Sequence, residues 1–202
     1  MIIGVAGKCC AGKDQVCRIL ETRGYTSIDL DQLGHQALEN HKTELAGLFG
    51  SEILDAEGTL DRKALGEKVF RSPESLNKLE RIIHPAVDSL AELQISRTKG
   101  DLLIHAALLY KSQLQPDVLI WVQSSLIRRI FRAFRRDRRS LGLILRRIGA
   151  QRELRSQHFS RYDDIYIVSN NRSLKALEAQ VLKIEDQYRS ERGIYGSGNI
   201  KR

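Results

Sequence analysis

Apolar residues along this chain alternate between two spacings. Ile2, Ile3 and Val5 make a short β-branched run, and Val16, Ile19 and Leu20 then recur at helical spacing, so the opening reads as strand, loop and helix. Gly24 is placed to end that helix. Tyr25 to Asp29 reads as a second short buried strand, and Leu30 to Phe49 as mostly helical. From Ile53 the pattern changes: Asp55-Ala56-Glu57-Gly58 is a turn and Leu60 to Phe70 is helical. Ser72-Pro73 then sets a capping serine before a proline at the first helical position, opening a helix predicted to end near His84-Pro85. Helix after helix with no strand between them predicts a helical insertion beside a sheet.

Strand character returns at Asp101 to Ile104, at Asp117 to Val122 and at Ile165 to Val168, each short and apolar enough for a buried parallel strand. The helix predicted from Leu174 to Tyr188 carries Leu174, Leu177, Val181 and Ile184 on one face. Strands alternating with helices predict an α/β, three-layer fold with a parallel sheet of about five strands. Residues 1–189 read as a single domain, and the glycine-rich, polar stretch 190–202 as a mobile tail.

Composition narrows the picture. The chain is 42% hydrophobic and 29% charged, and no apolar run approaches the roughly 18 residues of a membrane span. The N-terminus shows neither a basic leader nor a small-residue cleavage site, so the expected location is the cytoplasm. Lysine and arginine outnumber the acids by 33 to 25, a formal charge of +8 that favours an anionic partner such as a nucleotide or a nucleic acid. Arg128, Arg129, Arg132, Arg135, Arg136, Arg138 and Arg139 crowd one segment in which Phe131 and Phe134 stand at helical spacing, as packing residues do rather than base-stacking ones. Cys9, Cys10 and Cys17 lack the partners of a zinc site or a disulfide framework. Cys9 and Cys10 read either as small reduced side chains in a loop or as a redox-sensitive pair.

Gly7-Lys8-Cys9-Cys10-Ala11-Gly12-Lys13 fits G-x-x-x-x-G-K and falls between the first strand and the first helix. In such a loop the glycines let successive N–H groups face a phosphate, the helix adds the positive end of its dipole, and the lysine reaches the terminal phosphates. This predicts an ATP-binding, magnesium-dependent phosphate loop with Gly7, Cys10, Ala11, Gly12, Lys13, Asp14 and Gln15 as its nucleotide-binding positions. Asp14 stands where serine or threonine normally serves magnesium, and it reads equally as a metal ligand or as a helix-start carboxylate.

Further motifs follow at regular intervals. They are Ile28-Asp29-Leu30-Asp31 after the second strand, GSEILDAEGTLDR from Gly50 to Arg62, LERIIHP from Leu79 to Pro85, Arg132 to Asp137, and RIGAQ from Arg147 to Gln151. As a series these resemble the dephospho-coenzyme A kinase family from residue 2 to about residue 188. The resemblance implies a P-loop kinase fold with a helical acceptor-binding insertion at 59–98 and a helical lid at 124–158. It implies transfer of the γ-phosphate of ATP to the ribose 3′-hydroxyl of dephospho-coenzyme A, the final step of coenzyme A synthesis, with no membrane or nucleic-acid partner. Lys13, Asp31, Arg136 and Arg147 fall on its catalytic positions, with Asp31 facing the acceptor hydroxyl unless Asp29 or Asp31 only caps the next helix. His84 is either structural or an acceptor contact. Arg128, Arg129, Arg138 and Arg139 are expected on a solvated basic face or at the acceptor's pyrophosphate. Where the family has D-x-P-L-L-F-E, this chain has His105 for the aspartate, Ala107 for the proline and Lys111 for the glutamate. An active kinase with a relocated carboxylate is the expectation; the alternatives are a kinase of another nucleotide or metabolite, or a weakened relative that binds nucleotide or nucleic acid.

Overall fold

A computed structural model describes residues 1–137, 141–149, 151, 154, 156–191 and 193, with the side chains of residues 136, 137, 141, 143, 146 and 147 outside the description. The described chain forms two compact units, one of residues 1–27, 100–107 and 116 onward, the other of residues 28–99 and 108–115.

The first unit holds the sheet except for the last two residues of β2. Strands β1 (Ile2–Gly7), β2 (Thr26–Asp29), β3 (Leu102–Ala106), β4 (Val118–Gln123) and β5 (Ile165–Ser169) lie in the order β2-β3-β1-β4-β5. β1 pairs in parallel with β3 and β4, and β4 with β5. A central parallel strand is covered on both faces, which is why β1 and β4 are apolar without alternation. Ile3, Val5, Val118, Ile120 and Val122 pack with Val16, Ile19 and Leu20 of α1 (Lys13–Glu21) and with Leu177, Val181 and Tyr188 of α8 (Leu174–Glu191). Beyond β4 come α6 (Leu126–Asp137) and α7 (Leu141–Gly149).

The second unit is helical: α2 (Leu30–Asn40), α3 (Lys42–Phe49), α4 (Arg62–Val69) and α5 (Pro73–Arg97). Its core gathers Leu45, Ile53, Leu60, Leu65 and Val69 against Leu79, Ile82 and Ile83 of α5. The stretch Leu30 to Phe49 is helical as expected, in two helices that meet at His41, whose backbone leaves the helical region at φ −103, ψ 11. One local expectation is corrected. The helix opened by Ser72 does not end near His84-Pro85 but runs to Arg97. Pro85 removes the bond that residue 81 would accept, a loss of about 3 kcal/mol in a helix interior. Beyond it Val87 and Ala91 are buried, and this apolar face holds the helix together past the break.

The first unit is tied at the entries of β2 and β3 by a charged network. Glu185 of α8, only 2% exposed, accepts from Arg23 Nε at 3.0 Å, Tyr25 Oη at 3.2 Å and Arg189 Nε at 2.9 Å. Arg189 also bonds Asp101, which enters β3. Burial and the Glu185 carboxylate push the Tyr25 hydroxyl well above its ordinary pKa, so it stays a donor. Removing one member of a buried charged set strands the others. Glu185→Ala is therefore expected to lower stability by about 3 kcal/mol, read in urea as an earlier midpoint at unchanged slope; a shift within error would show that water replaces the carboxylate.

Candidate functional site

β1 delivers the chain into the loop ahead of α1, and two glycines make the turn possible. A Cβ on Gly7 would lie 2.6 Å from the carbonyl oxygen of Val122 in β4. Gly12 adopts φ 104, and a Cβ there would stand 2.0 Å from Asn170 Nδ2. Only glycine accommodates both the left-handed turn and the close neighbour.

An anion-binding loop must turn its carbonyls outward so that its N–H groups face the ligand. Two arginines of α6 hold them there. Arg129 Nε donates to the Cys9 carbonyl at 2.8 Å, and Arg132 Nη1 donates to those of Cys10 at 3.4 Å and Ala11 at 3.1 Å. Arg132 also reaches Ser124 Oγ at 3.1 Å after β4, and Asn170 O and Oδ1 at 2.9 and 3.1 Å after β5. Asn170, 3% exposed, closes the ring by donating Nδ2 to Ala11 O at 2.9 Å and Gln15 Oε1 at 2.8 Å. The Cys9 N–H donates to Gln151 Oε1 at 2.5 Å. The ends of β1, β4 and β5 thus meet at one loop, at the carboxyl edge of the sheet where α/β proteins carry ligands.

Lys13 opens α1 with Nζ 3.3 Å from the Gly7 carbonyl oxygen. Asp14 is exposed in the first turn, while the cap position belongs to Gly12 and carries no side-chain hydrogen bond. Asp14 is therefore not the capping residue. Beside the loop opens a cavity of about 540 Å³, lined by Lys8, the turn from Gln123 to Leu126, Arg129, Ser156, Gln157 and Asn171 among others. Arg129 is only 5% exposed, and its buried Nη2 has no hydrogen-bond partner among the described residues. The expectation of a solvated face is wrong for this arginine, because the loop carbonyl and the apolar side of α6 draw it inward. The expectation for the phenylalanines fails the other way: Phe131 and Phe134 are 59% and 56% exposed, with Arg135 5.7 Å from the Phe131 ring centroid. The side chains of Arg136 and Arg147, and all of Arg138 and Arg139, lie outside the described residues.

The second unit carries the other candidates. Asp29 caps α2, its Oδ1 accepting from the N–H groups of Asp31 at 2.9 Å and Gln32 at 3.3 Å, so Asp31 is not the cap and its carboxylate is exposed. A smaller cleft of about 270 Å³ is lined by His84, Pro85, Asp88, Glu92 and Lys111. His84 Nε2 has no hydrogen-bond partner among the described residues and stands 3.9 Å from Glu80 Oε2. Asp88, 7% exposed, accepts from Ser112 Oγ at 2.5 Å and Gln113 N at 2.9 Å. Lys111, which stands where an acid was expected, pairs with Glu80. His105 lies in β3 opposite Val5 of β1. Among the described residues no three His, Cys, Asp or Glu side chains converge to hold a metal. The sequence motifs missed Asn170; its one signal was an amide placed directly after an apolar strand.

The chain matches the family model described as dephospho-CoA kinase over residues 1–176. Among curated relatives, the dephospho-CoA kinase of Dehalococcoides mccartyi is 39% identical over 103 residues, 49% of this chain and 52% of that one. In that comparison the chain spans about half the relative's length. The dephospho-CoA kinase of Acinetobacter baylyi is 31% identical over 193 residues, covering 93% of this chain and 97% of the relative. A crystal structure from Thermus thermophilus superposes with a TM-score of 0.77 at 30% identity, covering 93% of this chain and 97% of that one.

Asn170 holds both the loop and the arginine that shapes it, so Asn170→Ala is expected to lower stability by about 2 kcal/mol. Nucleotide affinity should fall with it, measured by calorimetric titration on the folded variant. Unchanged affinity would show that Arg132 alone maintains the loop.

Proposed function

The chain belongs to the dephospho-CoA kinase family, and from that premise we propose that it transfers the γ-phosphoryl group of ATP to the ribose 3′-hydroxyl of dephospho-coenzyme A, giving coenzyme A and ADP. The observation that carries this reading is the loop between β1 and α1, whose carbonyls are held outward by Arg129 and Arg132 while Lys13 stands at its end. That arrangement binds a polyphosphate through N–H groups and the positive end of α1. The adjoining cavity has the volume and polar lining to take the nucleoside.

Phosphoryl transfer requires positioning and charge neutralisation more than covalent help from the protein. Lys13 compensates charge on the terminal phosphates, and Arg136 and Arg147 meet the migrating group as the lid closes. Asp31 orients the acceptor hydroxyl and takes its proton as the new P–O bond forms and the bond to ADP breaks. Residues 59–98, the acceptor-binding insertion, bind dephospho-coenzyme A. Asp14 fits magnesium, because this ion is held by one or two carboxylates with phosphate oxygens and water. When bound, magnesium supplies charge to the triphosphate. No described helix is long and apolar enough to cross a membrane, and a cytoplasmic location accords with the use of ATP.

A coupled assay with ATP and dephospho-coenzyme A tests the reading, with nucleoside monophosphates as competing acceptors; phosphorylation of a monophosphate in preference would overturn it. Lys13→Ala is expected to lower turnover by about a hundredfold or more, the scale of one lost transition-state contact. Asp14→Asn removes charge while keeping shape, so the ratio of ATP affinities with and without magnesium should shrink in this variant. An unchanged ratio would leave magnesium to the phosphates, water and another carboxylate.

A further inference from the structure

The phosphate loop contains two adjacent thiols that the proposed phosphoryl transfer does not use. Cys9 Sγ and Cys10 Sγ are 3.6 Å apart, and neither cysteine is in a disulfide. Successive side chains point to opposite faces of a strand, so neighbouring cysteines do not ordinarily face one another. Here Cys10 has φ 60, and among the described residues it is the one non-glycine residue with a positive φ. A left-handed turn at this position is unusual for a residue bearing a Cβ, and it accompanies the close approach of the two sulfurs. Cys17, by contrast, is 3% exposed within the apolar core.

We infer that Cys9 and Cys10 are a modification site, a vicinal dithiol that an organic or inorganic hydroperoxide oxidises to a disulfide within the phosphate loop, in competition with nucleotide. Cys10 is half-buried and Cys9 8% exposed, so Cys10 is the sulfur that meets the oxidant and Cys9 the one that resolves. The Cys10 thiolate attacks the terminal peroxide oxygen, the O–O bond breaks, and the alkoxide leaves and is protonated to the alcohol. The Cys10 sulfenic acid is then attacked by Cys9 sulfur, and its hydroxyl leaves as water with the Cys9 proton. Two thiols lose two hydrogens, and an organic hydroperoxide becomes one alcohol and one water, hydrogen peroxide two waters. Arg129 stands beside the pair, its Nε donating to the Cys9 carbonyl at 2.8 Å.

Closing the bond draws the sulfurs from 3.6 Å to about 2.0 Å. That movement turns the peptide between the two residues, whose Cys9 carbonyl holds Arg129, and disturbs the two flanking peptides, whose Cys9 N–H holds Gln151 and whose Cys10 carbonyl holds Arg132. The loop cannot keep all these partners in place while the bond closes. Adjacent Cα atoms lie about 3.8 Å apart across a trans peptide, below the roughly 4.4 Å at which disulfides usually begin. The bond is therefore strained and reopens readily with a small dithiol. The chemistry of the pair stands by itself, whereas exclusion of nucleotide rests on the phosphate-loop reading.

Trypsin separates the relevant cysteines, since cleavage at Lys8, Lys13 and Arg18 puts Cys9 and Cys10 in one peptide and Cys17 in the next. The test treats the full chain with tert-butyl hydroperoxide, with and without magnesium ATP, then measures peptide masses and kinase activity. The expected result is loss of two hydrogens in the peptide from Cys9 to Lys13, with activity falling in parallel. Dithiothreitol should restore both, and ATP should slow both. In Cys10→Ser, inactivation relative to that variant's own untreated activity should slow by about tenfold or more. Sulfinic acid on Cys10, a cross-link to Cys17 or unreacted thiols would overturn the dithiol site. Loss of two hydrogens with ATP affinity unchanged would overturn the competition, while turnover of untreated Lys13→Ala reports on the phosphate loop independently.

Discussion

Two guanidinium groups set against three consecutive carbonyls decide the shape of the phosphate loop, and the chemistry assigned to this chain depends on that shape. A peptide unit carries its donor and acceptor on opposite sides, so an arginine that captures the carbonyl also aims the N–H. Arg132 divides its donors among the loop, Ser124 after β4 and Asn170 after β5, and so registers three strand ends against one another. A buried guanidinium is tolerated when its N–H groups find acceptors. For Arg132 five such contacts are present, whereas Arg129 keeps one nitrogen unmatched among the described residues.

Two positions where the resemblance led to a different residue being expected behave differently. Lys111 pairs inside its own unit with Glu80, so its charge is matched locally. Asp14 is not absorbed in this way: it is exposed in the first turn of α1, and the cap position beside it belongs to Gly12. Charge at that point remains available to the ligand. The adjacent cysteines add a third property to the same few residues, since the turn that helps form the anion cradle also accompanies the approach of two sulfurs.

Periodicity alone determined the number of strands and their places along the chain, because buried parallel strands are written as short continuous apolar runs, and Ile2–Gly7 and Val118–Gln123 are such runs; their order in the sheet came only with the tertiary structure. The spacing of Gly7, Gly12 and Lys13 likewise announced the loop, since only particular backbone angles and one cation position satisfy a polyphosphate. Sequence erred where a local rule met a longer-range one. A proline argues for the end of a helix, yet α5 continues past Pro85 because Val87 and Ala91 are buried beyond it. An arginine-rich segment argues for solvent, yet the backbone of the loop needed Arg129 inside. Asn170 was invisible for the same reason: its partners Ala11, Gln15 and Arg132 stand far from it in the chain, and only the tertiary structure brings them within hydrogen-bond distance. Strand, turn and phosphate loop are local consequences of residue type and spacing; which cation is buried and which partners Asn170 meets are decided by packing across the sheet.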